Sequence, residues 1–482
     1  MESLIDTLSR AVRGRVSTRP ADLARVNRDG SHLHGCAWAT VVPKDQRDVV
    51  AVITWARRHR VPLVARGGGT SLDGESVPLA GGIVVDLSGW DRLLEVRVDE
   101  RWARVGPGMT NLALQESLAP HGLFFPPNPG SWATATVGGN VATNASGPRS
   151  FRYGPTRAWV RALDLVLGTG ESVRWGSTVA KRSVGPDLVS VFVGSEGTLG
   201  VATEVTVRLA PRPEVREGLL VPLEPTARLG AIASGLSLAR GTGLSAVEYI
   251  DGPSAEELAN LDRFGRPRPG PLLLLEIEAE RPAEAARRVL WTRRALRGCG
   301  VRSRPQVFED ADALWTLRGR ASVALDARVG ERIREDVAVP LGQIDRLLRG
   351  IRRIADAERV PLYLFAHLGE GSWHPNFVVP PESAKAARVR SSLLSTALAL
   401  GGTISGEHGI GAIKPRFLGR ELGRPGVAVL AALKRACDPD GILNPGKLYP
   451  QEGGDGRSSR SPSGSAGGRR PGGGPSGARV PA

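Results

Sequence analysis

Residues 126–147 read PPNPGSWATATVGGNVATNASG, a run of 22 residues without a charged side chain. Glycine, proline, asparagine, serine and threonine dominate this stretch, and they are poor material for a helix interior or a core strand. Their backbone N–H, amide and hydroxyl groups are good hydrogen-bond donors. We therefore expect residues 126–147 to surround a ligand that carries many acceptors.

A second glycine-rich segment lies upstream, where the apolar stretch 61–65 (VPLVA) runs into Arg66-Gly67-Gly68-Gly69-Thr70-Ser71. Glycine permits positive φ and close approach to the backbone, and successive exposed N–H groups form an anion-binding nest. A Rossmann site needs a GxGxxG turn that opens directly into a helix. Here the loop leads to LAGG at 79–82 and a further strand. The pattern predicts phosphates bound by loops, although a tight strand connection explains RGGGTS alone equally well.

A third small-residue segment, 194–201 (GSEGTLGV), joins two apolar stretches. We predict that both stretches, LVSVFV at 188–193 and ATEVTVRL at 202–209, are strands.

In combination these segments resemble the FAD-binding oxidase family whose flavin domain is shared by p-cresol methylhydroxylase and vanillyl-alcohol oxidase. The narrower resemblance is to the branch with D-lactate dehydrogenases, the glycolate oxidase flavin subunit, 2-hydroxyglutarate dehydrogenases and alkylglycerone-phosphate synthase. The residues that carry it are RGGGTSLDG at 66–74, residues 126–147, RYGPTR at 152–157 and VGSEGTLGV at 193–201. With the C-terminal motifs described below, the resemblance extends from about residue 40 to 450.

This resemblance implies an FAD site in which 66–72 surround the pyrophosphate, 126–147 line the isoalloxazine and ribityl chain, and 196–201 hold the adenine side. Relatives that attach flavin covalently use a histidine or cysteine in or near these loops, and none occurs here. We therefore expect non-covalent FAD. The cofactor-binding candidates are Arg66, Gly67, Gly68, Gly69, Thr70, Ser71, Pro129, Gly130, Thr134, Gly138, Gly139, Asn140, Thr143, Asn144, Ser146, Tyr153, Glu196, Gly200, Val201 and Asn444.

Three of the seven histidines fall in two short motifs, HLGEGSWH at 367–374 and GEHG at 406–409. A hairpin that turns between Glu370 and Gly371 would place His367 directly opposite His374, with Cβ atoms about 5 Å apart. Two imidazoles at that separation can chelate a divalent ion, and the Glu407 carboxylate would complete a His2Glu set. A pair of core histidines satisfied by hydrogen bonds is the alternative.

The resemblance implies the same arrangement, because the hydroxyacid dehydrogenase branch takes its metal ligands from HxGDGNxH and GEHG motifs. His367, His374 and Glu407 are then ligands to Zn, Mn or Fe, and His408 is the base that removes the hydroxyl proton. The chain departs from the family pattern at Glu370, in place of Asp, and at Ser372, in place of Asn.

Four residues are candidates for the catalytic centre. Beside His408, the resemblance suggests Arg318 and Arg334 as the cations for the substrate carboxylate, a task suited to a planar guanidinium. Asn376 is expected to share a face with His374. Ser372 and Trp373 are expected to shape the side-chain pocket, unless Trp373 packs under the hairpin instead. The role of Lys414, in GEHGIGAIK, is not evident from its position in the sequence.

The predicted fold class is α+β, with a two-subdomain α/β flavin domain and an α+β cap that contains an antiparallel sheet. A change of pattern near residue 214, to strands such as LLLLEIEAE and long Ala/Arg helices, suggests the domain boundary. The expected divisions are a helical N-terminal segment (1–40), the FAD domain (41–212), the cap (213–415), a returning segment (416–450) and a disordered tail (451–482).

The formal charge of +15 is compatible with an anionic substrate or membrane surface. Its arginines are spread along the chain without a nucleic-acid-binding motif, so we expect no nucleic acid partner. Cys36, Cys299 and Cys437 form neither a CxxC pair nor an even set, which favours a reducing compartment. With no apolar signal-peptide region or spanning segment in the sequence, we expect a cytoplasmic protein.

These expectations describe an FAD-dependent dehydrogenase for a small anionic D-2-hydroxy acid such as D-lactate. Electrons should pass to an acceptor protein or a quinone, and a homodimer is compatible with the sequence. Two alternatives stay open: a flavin transferase like alkylglycerone-phosphate synthase, and a flavin-binding subunit of a glycolate-oxidase-like complex.

Overall fold

A computed structural model describes residues 2–259 and 270–450. The first sheet has the strand order β1-β2-β4-β3, with β2, β4 and β3 parallel and β1 antiparallel to β2. The helix between β2 and β3 begins where the Asp45 carboxylate accepts the N–H groups of Arg47 and Asp48, a standard N-cap. The elements of this unit are α1 (Glu2–Ala11), β1 (Arg15–Ser17), α2 (Pro20–Val26), β2 (Ala39–Val42), α3 (Gln46–His59), β3 (Leu63–Arg66) and β4 (Ile83–Asp86).

The second sheet is antiparallel, with the strand order β5-β6-β10-β8-β9, and it has its own apolar core. In the same part of the chain, β7 and β11 pair with each other in a separate two-stranded sheet. The elements of this part are β5 (Leu93–Arg97), β6 (Trp102–Val105), α4 (Asn111–Leu118), β7 (Leu123–Phe124), α5 (Val137–Thr143), α6 (Ser150–Tyr153), β8 (Val160–Leu167), β9 (Ser172–Gly176), α7 (Leu188–Phe192), β10 (Gly200–Arg208) and β11 (Ala210–Pro211).

The third sheet is an antiparallel sheet of eight strands, ordered β15-β12-β14-β13-β18-β19-β16, with β17 also paired to β19. Helices α8, α10, α12 and α13 contribute to the apolar core on this sheet. The elements are β12 (Val215–Pro222), α8 (Leu229–Leu238), β13 (Leu244–Ile250), α9 (Gly252–Ala259), β14 (Leu272–Ala279), α10 (Pro282–Gly298), β15 (Gln306–Phe308), α11 (Ala311–Val329), β16 (Ile333–Arg334), β17 (Val337–Ala338), α12 (Ile344–Glu358), β18 (Leu362–His367), β19 (Ser372–Phe377) and α13 (Ala384–Ala399).

After this sheet the chain returns to the first two. Helix α14 (Pro415–Cys437), interrupted at Gly423, precedes a strap in which Leu443 forms a parallel bridge with Leu63 of β3. The expected fold class, a mixed flavin domain plus a cap with an antiparallel sheet, is confirmed. The predicted tail, 451–482, lies outside the described residues.

Two local expectations differ from the structure. Residues 188–192 form the helix α7 rather than a strand, because the Asp187 carboxylate caps the N–H groups of Val189 and Ser190. Val189 and Phe192, three residues apart, are its buried positions, and a short apolar run does not reveal that period. The N-terminal segment is also not wholly helical, since β1 pairs with β2.

Within residues 2–259 and 270–450, every helix is too short or too polar to cross a lipid bilayer.

Candidate functional site

A cavity of about 810 Å³ runs from the loops of the first two sheets to the strands of the third. After the expected cofactor and substrate, we call its two parts the flavin end, lined by residues from 65–76, 128–148 and 192–202, and the substrate end, lined by residues of α11, β18, β19 and the GEHG loop. The cavity therefore brings together motifs that are separated by more than 300 residues in the chain.

Most of the predicted cofactor residues line the flavin end. A Cβ atom at Gly67 would overlap the hydroxyl group of Thr136, and one at Gly68 would overlap the carbonyl oxygen of Thr134. These two positions require glycine because the two loops pack directly on each other. The predicted residues that line the cavity are Arg66, Gly67, Gly68, Gly69, Thr70, Ser71, Pro129, Gly130, Gly138, Gly139, Asn140, Thr143, Ser146, Glu196, Gly200 and Val201.

Four predicted cofactor residues do not line the cavity: Thr134, Asn144, Tyr153 and Asn444. Thr134 is exposed. Asn144 ends α5 in the left-handed conformation and accepts the N–H group of Arg157 at 2.9 Å. These side chains belong to the loops but do not line the cavity. Position in a motif does not by itself distinguish residues that line a cavity from residues that support its loops.

Tyr153 and Asn444 connect separate parts of the molecule. The Tyr153 hydroxyl group donates to Glu278 on β14, so it ties α6 to the third sheet. The buried amide of Asn444 donates to the carbonyl oxygens of Glu75 (2.8 Å) and Glu196 (2.7 Å). The strap thereby fastens two loops of the flavin end.

Arg66 and Glu196 line the cavity, and both side chains also make hydrogen bonds to other parts of the protein. The Arg66 guanidinium donates to the Ser76 hydroxyl group and the Arg25 carbonyl oxygen, both at 3.2 Å. The Glu196 carboxylate accepts the N–H groups of Ile410 (2.7 Å) and Gly411 (2.9 Å), just after the GEHG motif. Burial raises the pKa of Glu196 to about 7, against the lowering effect of those two hydrogen bonds.

The hairpin of β18 and β19 has a different register from the predicted one. His367 lies opposite Ser372, and His374 lies opposite Phe365. The turn is a short 3-10 helix, Leu368–Glu370, that ends at Gly371 with φ of 74°, so it contains more residues than the predicted tight turn. The histidines are diagonal neighbours, and their ring centroids are nevertheless 4.9 Å apart.

His367, His374 and Glu407 converge at the substrate end. Their ligand atoms lie within 4.8 Å of one another, with His367 Nε2 at 3.0 Å and His374 Nε2 at 3.3 Å from Glu407 Oε1. The second Glu407 oxygen accepts the Ser146 hydroxyl group at 2.6 Å. Both nitrogens of His374 are buried without a hydrogen bond to the described residues. Two imidazoles and a carboxylate fit Zn, Mn or Fe by donor type.

The titration behaviour of this cluster reflects its burial. Burial lowers the pKa of His374 to about 4. Burial alone would lower the pKa of His367 too, but Glu248 and Glu407 outweigh it and raise that pKa well above its usual value. For Glu407, the neighbouring histidines outweigh burial and hold the pKa well below its usual range.

Two buried carboxylates that the motifs did not reveal hold this cluster. Glu248 of β13 accepts from His367 Nδ1 at 2.5 Å. Asp336 accepts the backbone N–H groups of Glu407 (2.8 Å) and His408 (2.9 Å). Burial would raise the pKa of Asp336, but the electrostatic effect of its neighbours, Lys414 among them, outweighs it and the pKa falls to about 2.

Lys414 connects two loops through buried polar contacts. It is completely buried, its ammonium group pairs with Asp73 at 2.8 Å, and it donates to the carbonyl oxygen of Gly409 at 3.3 Å. Lys414 thus anchors the GEHG loop to the segment that follows the RGGGTS motif.

His408 stacks on His374, with ring centroids 5.1 Å apart and an interplanar angle of 18°. Its Nδ1 is buried and has no hydrogen bond to the described residues. His408 also lines the cavity, beside the predicted ligand set.

The predicted arginines both line the substrate end. Arg318 of α11 lies over the ring of Phe365 at 4.4 Å and pairs with Glu248 at 3.5 Å. Arg334 donates to Asp326 at 2.6 Å. Burial lowers the pKa of Arg334 from its usual value.

A third arginine, Arg332, was not predicted. Its Nε donates to Asn376 Oδ1 at 3.0 Å, while the Asn376 amide donates to the carbonyl oxygen of His374 at 3.0 Å. The other Arg332 nitrogens contact Asp326 and the carbonyl oxygen of Leu325. The alternation Arg332-x-Arg334 was the signal in the sequence, but the many arginines of this chain obscured it.

The expected pocket role of Ser372 and Trp373 is wrong. Trp373 is completely buried against Tyr249, with ring centroids 5.6 Å apart, so the packing alternative applies. Ser372 points to Asp336 at 3.5 Å. The Glu370 carboxyl group lies at 2.5 Å from the Ser150 hydroxyl group, and burial raises its pKa to about 7.

Family models assign this architecture. Residues 37–176 match the FAD binding domain model, and residues 212–448 match the C-terminal domain of FAD linked oxidases. The chain belongs to the FAD-linked oxidase family. It is an FAD-linked oxidoreductase, and the cavity lies between its two matched parts.

Named relatives span several activities. The glycolate oxidase subunit GlcD of Bacillus subtilis is 34% identical over 421 residues, covering 86% of this chain and 89% of GlcD. D-lactate dehydrogenase of Archaeoglobus fulgidus is 35% identical over 414 residues, covering 85% and 91%. D-2-hydroxyglutarate dehydrogenase of Stutzerimonas stutzeri is 30% identical over 472 residues, covering 93% and 99%. These identities and coverages establish the family.

Solved structures agree on the fold. Substrate-bound p-cresol methylhydroxylase superposes with a TM-score of 0.78 at 17% identity, covering 93% of this chain and 96% of that one. Alkyldihydroxyacetonephosphate synthase superposes with a TM-score of 0.70 at 15% identity, covering 92% and 84%.

Proposed function

We propose that this FAD-linked oxidoreductase oxidises a short D-2-hydroxy acid, with D-lactate as the first candidate, to the 2-oxo acid. The observation that carries the proposal is the convergence of two histidines, a glutamate, the GEHG histidine and two arginines at one end of the flavin cavity. Arginines suit a substrate carboxylate, and the histidines and the glutamate suit an adjacent hydroxyl group, so the set as a whole suits a 2-hydroxy acid.

Oxidation of the alcohol requires loss of a hydride from carbon and of a proton from the hydroxyl group. FAD, when bound, supplies the hydride acceptor, and the glycine loops leave room for it in the cavity. His408 is suited to take the hydroxyl proton, because Asp336 fixes its backbone and Nδ1 makes no hydrogen bond with the described residues. Arg318 and Arg334 bind and orient the carboxylate.

A divalent ion held by His367, His374 and Glu407 would supply Lewis acidity at the substrate hydroxyl group, which is otherwise a very weak acid. The donor set supports this part of the proposal, as do the unbonded nitrogens of His374. Zn, Mn and Fe all accept such a set.

The charges at the substrate end favour a monocarboxylate over 2-hydroxyglutarate. A second carboxylate would need a cation beyond Arg318 and Arg334. Arg332 is a further arginine at the substrate end, and its nitrogens donate to Asn376, Asp326 and Leu325. Asp326 also pairs with Arg334, so it reduces the positive charge available to a second carboxylate.

Electrons must then leave the flavin. The sequence has no Rossmann fingerprint for a nicotinamide, and its three cysteines form no iron–sulfur pattern. We propose an electron-transfer protein or a quinone as acceptor. Stoichiometric reduction of NAD+ by substrate in the purified enzyme would contradict this proposal. The cytoplasmic location and a homodimer remain predictions.

The decisive experiment is anaerobic mixing of the oxidised protein with D- and L-lactate, glycolate and D-2-hydroxyglutarate, followed by flavin absorbance near about 450 nm. We expect D-lactate to bleach the flavin fastest. If no 2-hydroxy acid bleaches it and an acyl-dihydroxyacetone phosphate is turned over, the chain is a transferase. If the flavin responds to nothing, the non-catalytic subunit alternative applies.

A further inference from the structure

Glu248 occupies a position that no motif of the substrate end indicates. It lies on β13, directly opposite His367 in the antiparallel pair β13 and β18, and its side chain is completely buried. One carboxylate oxygen lies 2.5 Å from His367 Nδ1. The other lies 3.5 Å from Arg318 Nε. A single carboxylate therefore bridges a proposed metal ligand and a proposed substrate-binding arginine.

Each contact selects one orientation of its partner. When Nδ1 of an imidazole donates to a carboxylate, Nε2 is the nitrogen that can bind a metal ion in exchange for its proton, and here Nε2 faces Glu407 at 3.0 Å. Arg318 is held between Glu248 and the ring of Phe365, at 4.4 Å from the ring centroid. Phe365 lies two residues before His367 on the same face of β18.

We infer that Glu248 is a positioning residue that couples the metal site to the carboxylate-binding site. The part of the inference that concerns carboxylate binding, its substrate arm, rests on the proposed function. The part that concerns metal binding, its metal arm, is independent of the substrate. Loss of the negative charge at 248 should therefore weaken the binding of both the metal ion and the substrate carboxylate, although Glu248 itself would contact neither.

The test compares Glu248→Gln with Asp251→Asn. Glutamine keeps the size and an acceptor for His367, but its amide nitrogen and lost charge no longer suit Arg318. Asp251 is a matched control because it is a buried carboxylate three residues along the chain that accepts the N–H group of Ser254 at 3.0 Å and does not line the cavity.

Two affinities are measured on FAD-loaded protein. The first is the Kd for Zn2+ and Mn2+, by competition with a chromophoric chelator. The second is the Kd for pyruvate on metal-free and metal-loaded protein, by the shift in flavin absorbance. In Glu248→Gln we expect metal Kd to rise about 10- to 100-fold and pyruvate Kd to rise about fivefold or more even without metal, with FAD content unchanged. Asp251→Asn should match the parent in both.

The inference is overturned if either affinity of Glu248→Gln stays within about twofold of the parent, or if Asp251→Asn loses both affinities to the same extent. If Glu248→Gln does not retain FAD, Glu248→Asp, which keeps the charge but shortens its reach, is held to the same criteria. A parent that no 2-hydroxy acid reduces, yet whose metal Kd responds to Glu248→Gln, would refute the proposed function and leave the metal arm standing.

Discussion

The flavin end and the substrate end of one cavity are built in different ways. Glycines and small residues in loops line the flavin end, and several of its polar side chains, such as Arg66 and Glu196, are bonded to other parts of the protein. Charged side chains line the substrate end, and buried carboxylates such as Glu248 and Asp336 hold them. A site built from backbone depends on local conformation, whereas a site built from side chains depends on partners brought together by the fold.

The largest expected effect lies at the substrate end. His408→Ala should slow flavin reduction by substrate about 10²- to 10⁴-fold, the usual contribution of a positioned base, while FAD content stays at the parent level. Stopped-flow absorbance measures the rate. The exposed His121 gives a control variant, His121→Ala, with the parent rate. An unchanged rate in His408→Ala would revive the non-catalytic subunit alternative.

Metal removal should affect the substrate end and leave the flavin end unchanged. Since Lewis acidity is worth several kcal/mol of barrier, we expect chelation to slow substrate reduction of the flavin about 100-fold or more and to leave FAD bound. Elemental analysis and flavin absorbance are measured on the same sample. A protein without stoichiometric Zn, Mn or Fe whose activity survives chelators would refute the metal proposal.

A larger side chain in the glycine loop of the flavin end should weaken FAD binding. Gly68→Ala places a Cβ atom against the Thr134 carbonyl oxygen, and overpacking of this kind costs about 1–3 kcal/mol. We expect FAD to bind more weakly, by about 5- to 150-fold, with metal affinity unchanged. Gly89→Ala is the control, because no heavy atom lies within 4 Å of its added Cβ. Equal FAD affinity in both variants would show that the loops can separate.

The last prediction leaves catalysis and FAD binding unchanged and concerns only stability, through a buried carboxylate that has no histidine partner among the described residues. Burial raises the pKa of Asp251 to about 6, against the lowering effect of its hydrogen bonds to Ser254. Because this folded-state pKa exceeds the unfolded value of about 3.9, the associated stability is complete below about pH 4 and is lost as pH rises through about 6.

Asp251→Asn lacks this titration, so its free energy of unfolding should exceed that of the parent by about 3 kcal/mol at pH 8 and match it near pH 4. Thermal or denaturant unfolding across that range measures the difference. The exposed Asp99 provides Asp99→Asn as a control. A difference between Asp251→Asn and the parent that does not change with pH would contradict the assignment to Asp251.

The two ends also differ in how well they could be predicted. The loops at 66–71, 126–147 and 196–201 were found from composition and order, because a backbone-lined site needs glycine within a few residues of each contact. The ligand types at 367, 374 and 407 were found from spacing and resemblance. The pairing register of the two histidines was predicted wrongly, because a short 3-10 turn lengthens the hairpin and places Ser372 opposite His367.

The sequence by itself determined the family, the fold class and which loops and histidines meet, because these depend on short-range requirements that local composition records. Only the tertiary structure decided that Trp373 packs in the core, that Arg332 holds Asn376, and that Glu248 and Asp336 hold the charged end. Buried charges need partners within about 4 Å, and those partners come from strands that the fold brings together, 119 residues apart for Glu248 and His367.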